Sequence, residues 1–188
     1  YFRLSTGIGY ASLAGDGPDG SASLSGLGNR FSLTFGGDVA PGLVLAGTLQ
    51  GSSLTSDFDG GPLTGAMLTT DDGSVEASAK ADAASAQLGV LVDWYPRPAG
   101  GWHAGVSAGL GVATVVTRAD DEIMLGTSVA GSLFGGYDWS IARSWSVGVA
   151  LVASGASSAS MKDESGERDL GYDLRSVFFG VEGSLLYF

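Results

Sequence analysis

Cysteine is absent from this 188-residue chain, so disulfides and thiolate metal sites are excluded, while the compartment stays open because the lack suits cytosol and outer membrane alike. No stretch approaches the roughly 20 consecutive apolar residues of a membrane helix, which excludes a helical membrane protein. Positive charge is scarce: nine Lys and Arg face twenty Asp and Glu, for a net charge of −11. Nucleic acid is therefore not an expected partner, since phosphate binding needs a basic surface. Histidine occurs once, so a His-built metal site or a serine triad would have to rest on His103 alone. The five prolines, Pro18, Pro41, Pro62, Pro96 and Pro98, all fall between apolar segments, as they must when every strand is paired on both sides. Tyr1 is followed by neither a basic n-region nor an apolar h-region, so any export leader is expected either to have been removed already or to lie outside this sequence.

What the chain has in quantity is glycine, 32 residues of it, set among 44% hydrophobic residues. Eight segments of about ten residues alternate large apolar side chains with Gly, Ser, Ala or Thr, the period and length of a tilted membrane-spanning strand. Phe2, Leu4, Thr6, Ile8 and Tyr10 share one face of the first, against Arg3, Ser5, Gly7, Gly9 and Ala11. The fifth is the cleanest, with Trp102, Ala104, Val106, Ala108, Leu110 and Val112 against His103, Gly105, Ser107, Gly109 and Gly111. Three short turns, at Ala40 to Gly42, Pro96 to Gly101 and Ser140 to Ser144, alternate with four long polar segments: about 15–25, 53–83, the stretch around Asp120, Asp121 and Glu122, and 155–173. Those polar segments hold sixteen of the twenty acids and, with Arg175 just beyond the last of them, carry the whole net charge. The pattern predicts one domain over 1–188: an all-β, closed, eight-stranded antiparallel up-and-down transmembrane β-barrel, with short turns in the periplasm and long loops outside. Both termini are then periplasmic, in a bacterial outer membrane.

All four tryptophans, Trp94, Trp102, Trp139 and Trp145, stand beside short turns on the apolar face, as an aromatic girdle would. A soluble lipocalin-like barrel would reverse this parity, with large residues inside and charges outside.

Seven ionisable residues fall on the small-residue face: Arg3, Arg30, Asp38, Asp93, His103, Asp138 and Glu182. Lumen placement is expected for them, because a lipid-facing charge costs about 2–4 kcal/mol for Arg or Lys at the midplane, and less for acids. Setting Trp94 opposite Trp102 would bring Asp93 opposite His103, and Arg3 is expected to contact Asp38 or Glu182. Such groups could line an ion path, but eight strands leave little interior, so a structural network plugging the barrel is the stronger expectation. The inward glycines leave two readings open, room for water or strand curvature. Asp57-Phe58-Asp59-Gly60-Gly61 and Asp71-Asp72-Gly73 space oxygen ligands as calcium loops do, without the twelve-residue pattern and its closing Glu, and are expected to be solvated. Gly7-Ile8-Gly9 lies inside a strand with no helix after it, so it is not a nucleotide fingerprint. No catalytic residue, metal or cofactor is expected.

The terminal run Val181-Glu182-Gly183-Ser184-Leu185-Leu186-Tyr187-Phe188 is similar to the last strand of the eight-stranded outer-membrane barrel class. Over its whole length the chain resembles the OmpA transmembrane domain and OmpX-like proteins. The resemblance implies that the barrel-assembly machinery recognises Phe188 and that lipid bilayer and lipopolysaccharide surround the barrel. Because Phe188 is the last residue, no peptidoglycan-binding domain is expected to follow, a departure from full-length OmpA-type proteins. It also implies that Phe188 and alternate residues before it face lipid. Leu186 and Phe188, however, share parity with Glu182 and Ser184, so a bulge near Gly183 or a slipped register is expected. The function expected is a non-enzymatic structural or interaction role at the cell surface, with an envelope or extracellular protein partner. The alternatives are a porin-like channel for water, ions or small solutes through a glycine-lined lumen and, more distantly, a lipid-modifying enzyme.

Overall fold

The structure, a computed structural model, describes residues 1–17, 20–55, 67–70, 73–75, 81–97, 101–117, 122–158 and 173–188. Ten strands occur there: β1 (Phe2–Gly17), β2 (Gly20–Ala40), β3 (Leu43–Thr55), β4 (Met67–Thr70), β5 (Gly73–Val75), β6 (Ala81–Trp94), β7 (Gly101–Thr117), β8 (Glu122–Ser140), β9 (Trp145–Ser158) and β10 (Asp173–Tyr187). Each long strand pairs antiparallel with its sequence neighbours, and β1 pairs with both β2 and β10, closing an eight-stranded barrel. Closure leaves no free edge in the wall. The short β4–β5 hairpin lies outside that count: β3 pairs with β2 only from Gly28 onward, and β4 takes the vacant edge at Ser21 to Ser23.

The alternation read in the sequence decides which face is which. Leu4, Ile8, Phe31, Phe35, Leu88, Leu110, Leu133, Leu151 and Phe179 are exposed on the outside, and the residues between them turn inward. Trp94, Trp102, Trp139 and Trp145 are all exposed at the turn end of the barrel. Trp102 packs edge-on to Tyr137 at 5.4 Å, and Trp145 meets Tyr187 at 5.1 Å.

The inward glycines serve curvature. Gly9 faces Gly180 across β1 and β10, and a Cβ on Gly9 would lie 2.5 Å from the Gly180 Cα. Gly89 and Gly109 face each other likewise across β6 and β7, and a Cβ on Gly109 would lie 2.7 Å from the Gly89 Cα. Backbones this close are what a narrow, strongly curved wall needs on its concave side. At the first tight turn Pro41 and Gly42 join β2 to β3, and Gly42 takes φ 73°, which a type II turn demands at its third residue.

Several expected boundaries move. The segment 15–25 was expected as loop, yet β1 runs to Gly17 and β2 starts at Gly20, with Leu13 paired to Leu24. Similarly β9 runs on to Ser158, and β8 begins at Glu122. A crossing needs only about 9–11 residues, so the loss of hydrophobicity marks the edge of the bilayer while the hydrogen-bonded ladder continues past it. The acids Asp57, Asp59, Asp71, Asp72, Asp120 and Asp121 lie outside the described residues.

Candidate functional site: the ionic plug of the barrel interior

The turn end of the interior is built around Arg3, the second residue of β1 and on its inward face. Its Nη2 donates to Asp138 Oδ2 at 2.7 Å and to the Tyr95 hydroxyl at 2.6 Å, and its Nη1 lies 3.2 Å from Asp93 Oδ2. Tyr1 donates to Asp93 at 2.9 Å, and Tyr95 donates to Asp138 at 2.8 Å. Both tyrosines lie outside the strands, and burial raises both phenols above their ordinary value, so each stays a donor. His103 Nδ1 is 3.0 Å from Asp93 Oδ1 and 3.5 Å from Arg3 Nη1. One nitrogen cannot donate to the first and accept from the second, and the shorter contact assigns the proton to Nδ1, donated to Asp93. The His103 ring stacks on Tyr95 at 5.2 Å, with its Nε2 3.7 Å from Asp138. Leu186, Val44, Leu91 and Phe134 pack around this cluster. Phe188 reaches both Tyr1 and Tyr95 edge-on at 5.8 Å.

A second polar layer crosses the middle of the barrel. Arg30 pairs with Glu182 at 2.9 Å and donates its other terminal nitrogen to Gln50 Oε1. Gln87 donates to the same Gln50 oxygen at 2.6 Å, and Gln50 Nε2 donates to Ser107 at 3.0 Å, which bonds Ser132 at 2.6 Å. Arg30 reaches Glu182 across β1 because Gly7 is the residue between them on that rung; a Cβ there would lie 2.6 Å from Glu182 Cγ. Gly148 does the same for Asp138, its cross-strand partner, whose carboxylate occupies the space a Cβ would need. Sequence alternation marks both glycines as inward, but only the register reveals which large side chain each admits.

Beyond that layer the interior is uncharged and looser. Ala11, Leu54, Val152 and Phe178 form a small cluster, beside a cavity of about 70 Å³ lined by Leu13, Ser52, Ala83, Ser85 and Ala113 among others. A further void of about 20 Å³, large enough for about one water, lies below it beside Arg3, Ser5 and Glu182. Arg30 and Gln50 line both voids, so the polar layer separates them.

Against expectation, Arg3 contacts neither Asp38 nor Glu182. Asp38 is exposed beside a register shift between Asp38 and Ala40, where the bulge leaves its carboxylate hydrated at the rim. Arg3 is taken up by Asp93 and Asp138, and Glu182 by Arg30. Asp93 and His103 do meet, though not by the expected register: Trp94 pairs with Ala104, two residues further on, and Trp102 faces Tyr137 instead. Asp93 and His103 reach each other diagonally. The displacement arises because Tyr95 leaves the strand and turns inward, its amide bonded to the Gly42 carbonyl at 2.7 Å. Tyr95, read in the sequence as part of a turn, is the principal site residue that inspection missed; its place directly after Trp94, with inward side chains at Asp93 and Leu91, was the available signal. No bulge occurs at Gly183, where pairing with Thr6 and Val149 is unbroken, and Leu186 is fully buried as a filler of the turn-end interior.

No protein-family model matches this sequence, and no curated protein does. Solved structures match. The crystal structure of Neisserial surface protein A, NspA, aligns with 100% of this chain and 97% of its own, with a TM-score of 0.54 and 12% identity. Ail, the attachment invasion locus protein of Yersinia pestis, solved with sucrose octasulfate, aligns over 97% of this chain and 98% of its own at 0.43 and 8%. The outer membrane protease OmpT of Escherichia coli aligns over 100% and 96% at 0.43 and 9%. The last two likenesses are too loose to carry an argument, and 12% identity to NspA carries fold alone. By that fold, with its bulky residues turned outward and its charges within, this chain is an eight-stranded transmembrane β-barrel of the outer-membrane type.

Proposed function

We propose that this protein is a non-enzymatic integral barrel of the bacterial outer membrane, with a structural or interaction role at the cell surface. Its loops face outside, both termini lie in the periplasm, lipopolysaccharide surrounds the outer half, and an envelope or extracellular protein is its partner. The observation that carries this reading is the ionic plug. Arg3, Asp93, His103 and Asp138 are all 5% exposed or less, and they fill the turn end with Phe134, Tyr95 and Leu186. The two interior voids are separated by the Arg30–Gln50 layer. A non-catalytic role is supported by His103: both ring nitrogens face carboxylates and one ring face is stacked on Tyr95, so it has no open side toward a substrate. Handling by the barrel-assembly machinery through Phe188 belongs to the same reading.

Planar bilayers test it. The purified barrel is expected to give no conductance steps. Regular steps that disappear in an Asp93→Asn, Asp138→Asn double variant would establish the channel instead. An epitope inserted between residues 56 and 66 is expected to be accessible on intact cells, which tests the orientation separately.

A further inference from the structure

The outer wall over β8, β9 and β10 carries a groove. Two adjoining depressions of about 540 and 390 Å³ lie on it, meeting at the row Leu133, Ala153 and Phe179. These three residues are cross-strand partners, so they stand abreast on the outward face. Ala153 is the low point between two bulky walls, and a flexible chain can pass over it from one depression to the other. Toward the turns the lining continues with the next outward row, Gly135, Leu151 and Val181, where Gly135 is the low point; toward the loops it continues past Gly155 beside Val177.

Beyond the loop end of this groove β10 carries a cation. Arg175 is exposed and is the outward residue next after Val177 on β10, about 6.6 Å further along the strand. Among the described residues it makes no ion pair. Its depth follows from the girdle. Twelve residues separate Arg175 from Tyr187, which packs on Trp145 at the opposite interface. Twelve residues span about 40 Å of strand, and a tilt near 40° converts that to about 30 Å, the thickness of the hydrocarbon. Arg175 therefore stands at the headgroup level of the loop-side leaflet, with an apolar groove leading from it into the hydrocarbon.

We propose that this groove holds an acyl chain of a phosphorylated glycolipid of the outer leaflet, and that Arg175 binds the lipid's phosphate. The inference rests on the orientation proposed above, since the leaflet on the loop side decides which lipid is offered. Charge complementarity selects an anionic headgroup: a guanidinium presents its donors in a fork that fits phosphate oxygens. The wall is apolar along this row, which suits a hydrocarbon chain lying over Ala153 between Leu133 and Phe179.

The full-length protein, reconstituted in nanodiscs of neutral phospholipid doped with bisphosphorylated lipid A, is transferred to mild detergent and weighed by native mass spectrometry. One retained lipid A is expected. Ala153→Phe fills the low point and is expected to lower retention about tenfold, and Arg175→Ala to lower it by a similar factor. Lipid A stripped of its phosphates is expected to be retained no better than by R175A. Gly47→Phe serves as control, because Gly47 faces outward on β3, where a Cβ would meet only the Phe35 carbonyl oxygen at 3.9 Å, and retention should be unchanged. Circular dichroism and urea midpoints confirm that each variant folds. Wild-type retention in either A153F or R175A, or equal retention of phosphatidylglycerol, would overturn the proposal. Since retention is read in nanodiscs lacking any sidedness, a failed epitope experiment on cells would overturn the orientation without touching this result.

Discussion

The two ends of the barrel interior are made by the same strands with the same alternation, yet they solve the filling problem differently. At the turn end, one arginine, two carboxylates, a histidine and two tyrosines interlock, and Leu186, Val44 and Phe134 close the remaining space. At the loop end the inward side chains are Ala, Ser, Leu, Val152, Thr114 and Phe178, beside a cavity of about 70 Å³. Buried charge is tolerable in the first because nearly every polar atom finds a partner; among the described residues only Arg3 Nε and Asp138 Oδ1 lack one. The second is uncharged and loosely filled, and its hydroxyls meet in isolated contacts such as Ser52 with Ser85 at 2.8 Å, so among the described residues no interlocked ionic network exists there. Rigidity is thus concentrated near the turns, and the tolerant half lies beneath the loops.

The largest test of that contrast is Arg3→Ala, which leaves Asp93 and Asp138 buried without their cation. A loss of about 3–5 kcal/mol in urea unfolding of the reconstituted barrel is expected. A loss no greater than that of an outer polar deletion would erase the distinction between the halves. Tyr95→Phe removes one hydroxyl that both accepts from Arg3 and donates to Asp138, and should cost about 1.5–3 kcal/mol. Gly7→Ala places a methyl group against the Glu182 side chain on its rung with Arg30; about 1–3 kcal/mol is expected, measured by the same unfolding midpoint. For the outer half, Ser85→Ala breaks only the 2.8 Å contact with Ser52 beside the cavity. There at most about 1 kcal/mol should be lost, and a larger value would mean that this half is also tightly coupled.

Alternation and composition were enough to place the tryptophans at one rim, assign the inward face and close the sheet, because each follows from a period of two and from the cost of exposing charge to hydrocarbon. Strand ends were not legible: Gly15 to Ser25 is polar yet mostly paired, since water outside the bilayer does not forbid a ladder. The site was legible in its members but not in its partners. Arg3, Arg30, Asp93, His103, Asp138 and Glu182 were marked as inward by parity alone. Their pairing needed register, and register here turned on Tyr95 folding inward and on a bulge beside Asp38, neither of which a local period encodes.

By itself, then, the order of residues determined a closed membrane cylinder with bulky groups outward and ionisable groups within, since those depend only on neighbours along each strand. Which arginine neutralises which acid, that Gly7 and Gly148 clear space for Glu182 and Asp138, and that Ala153 opens a groove between Leu133 and Phe179 were decided in three dimensions. Each of these joins residues on separate strands, whose mutual position is set by the shear of the whole barrel.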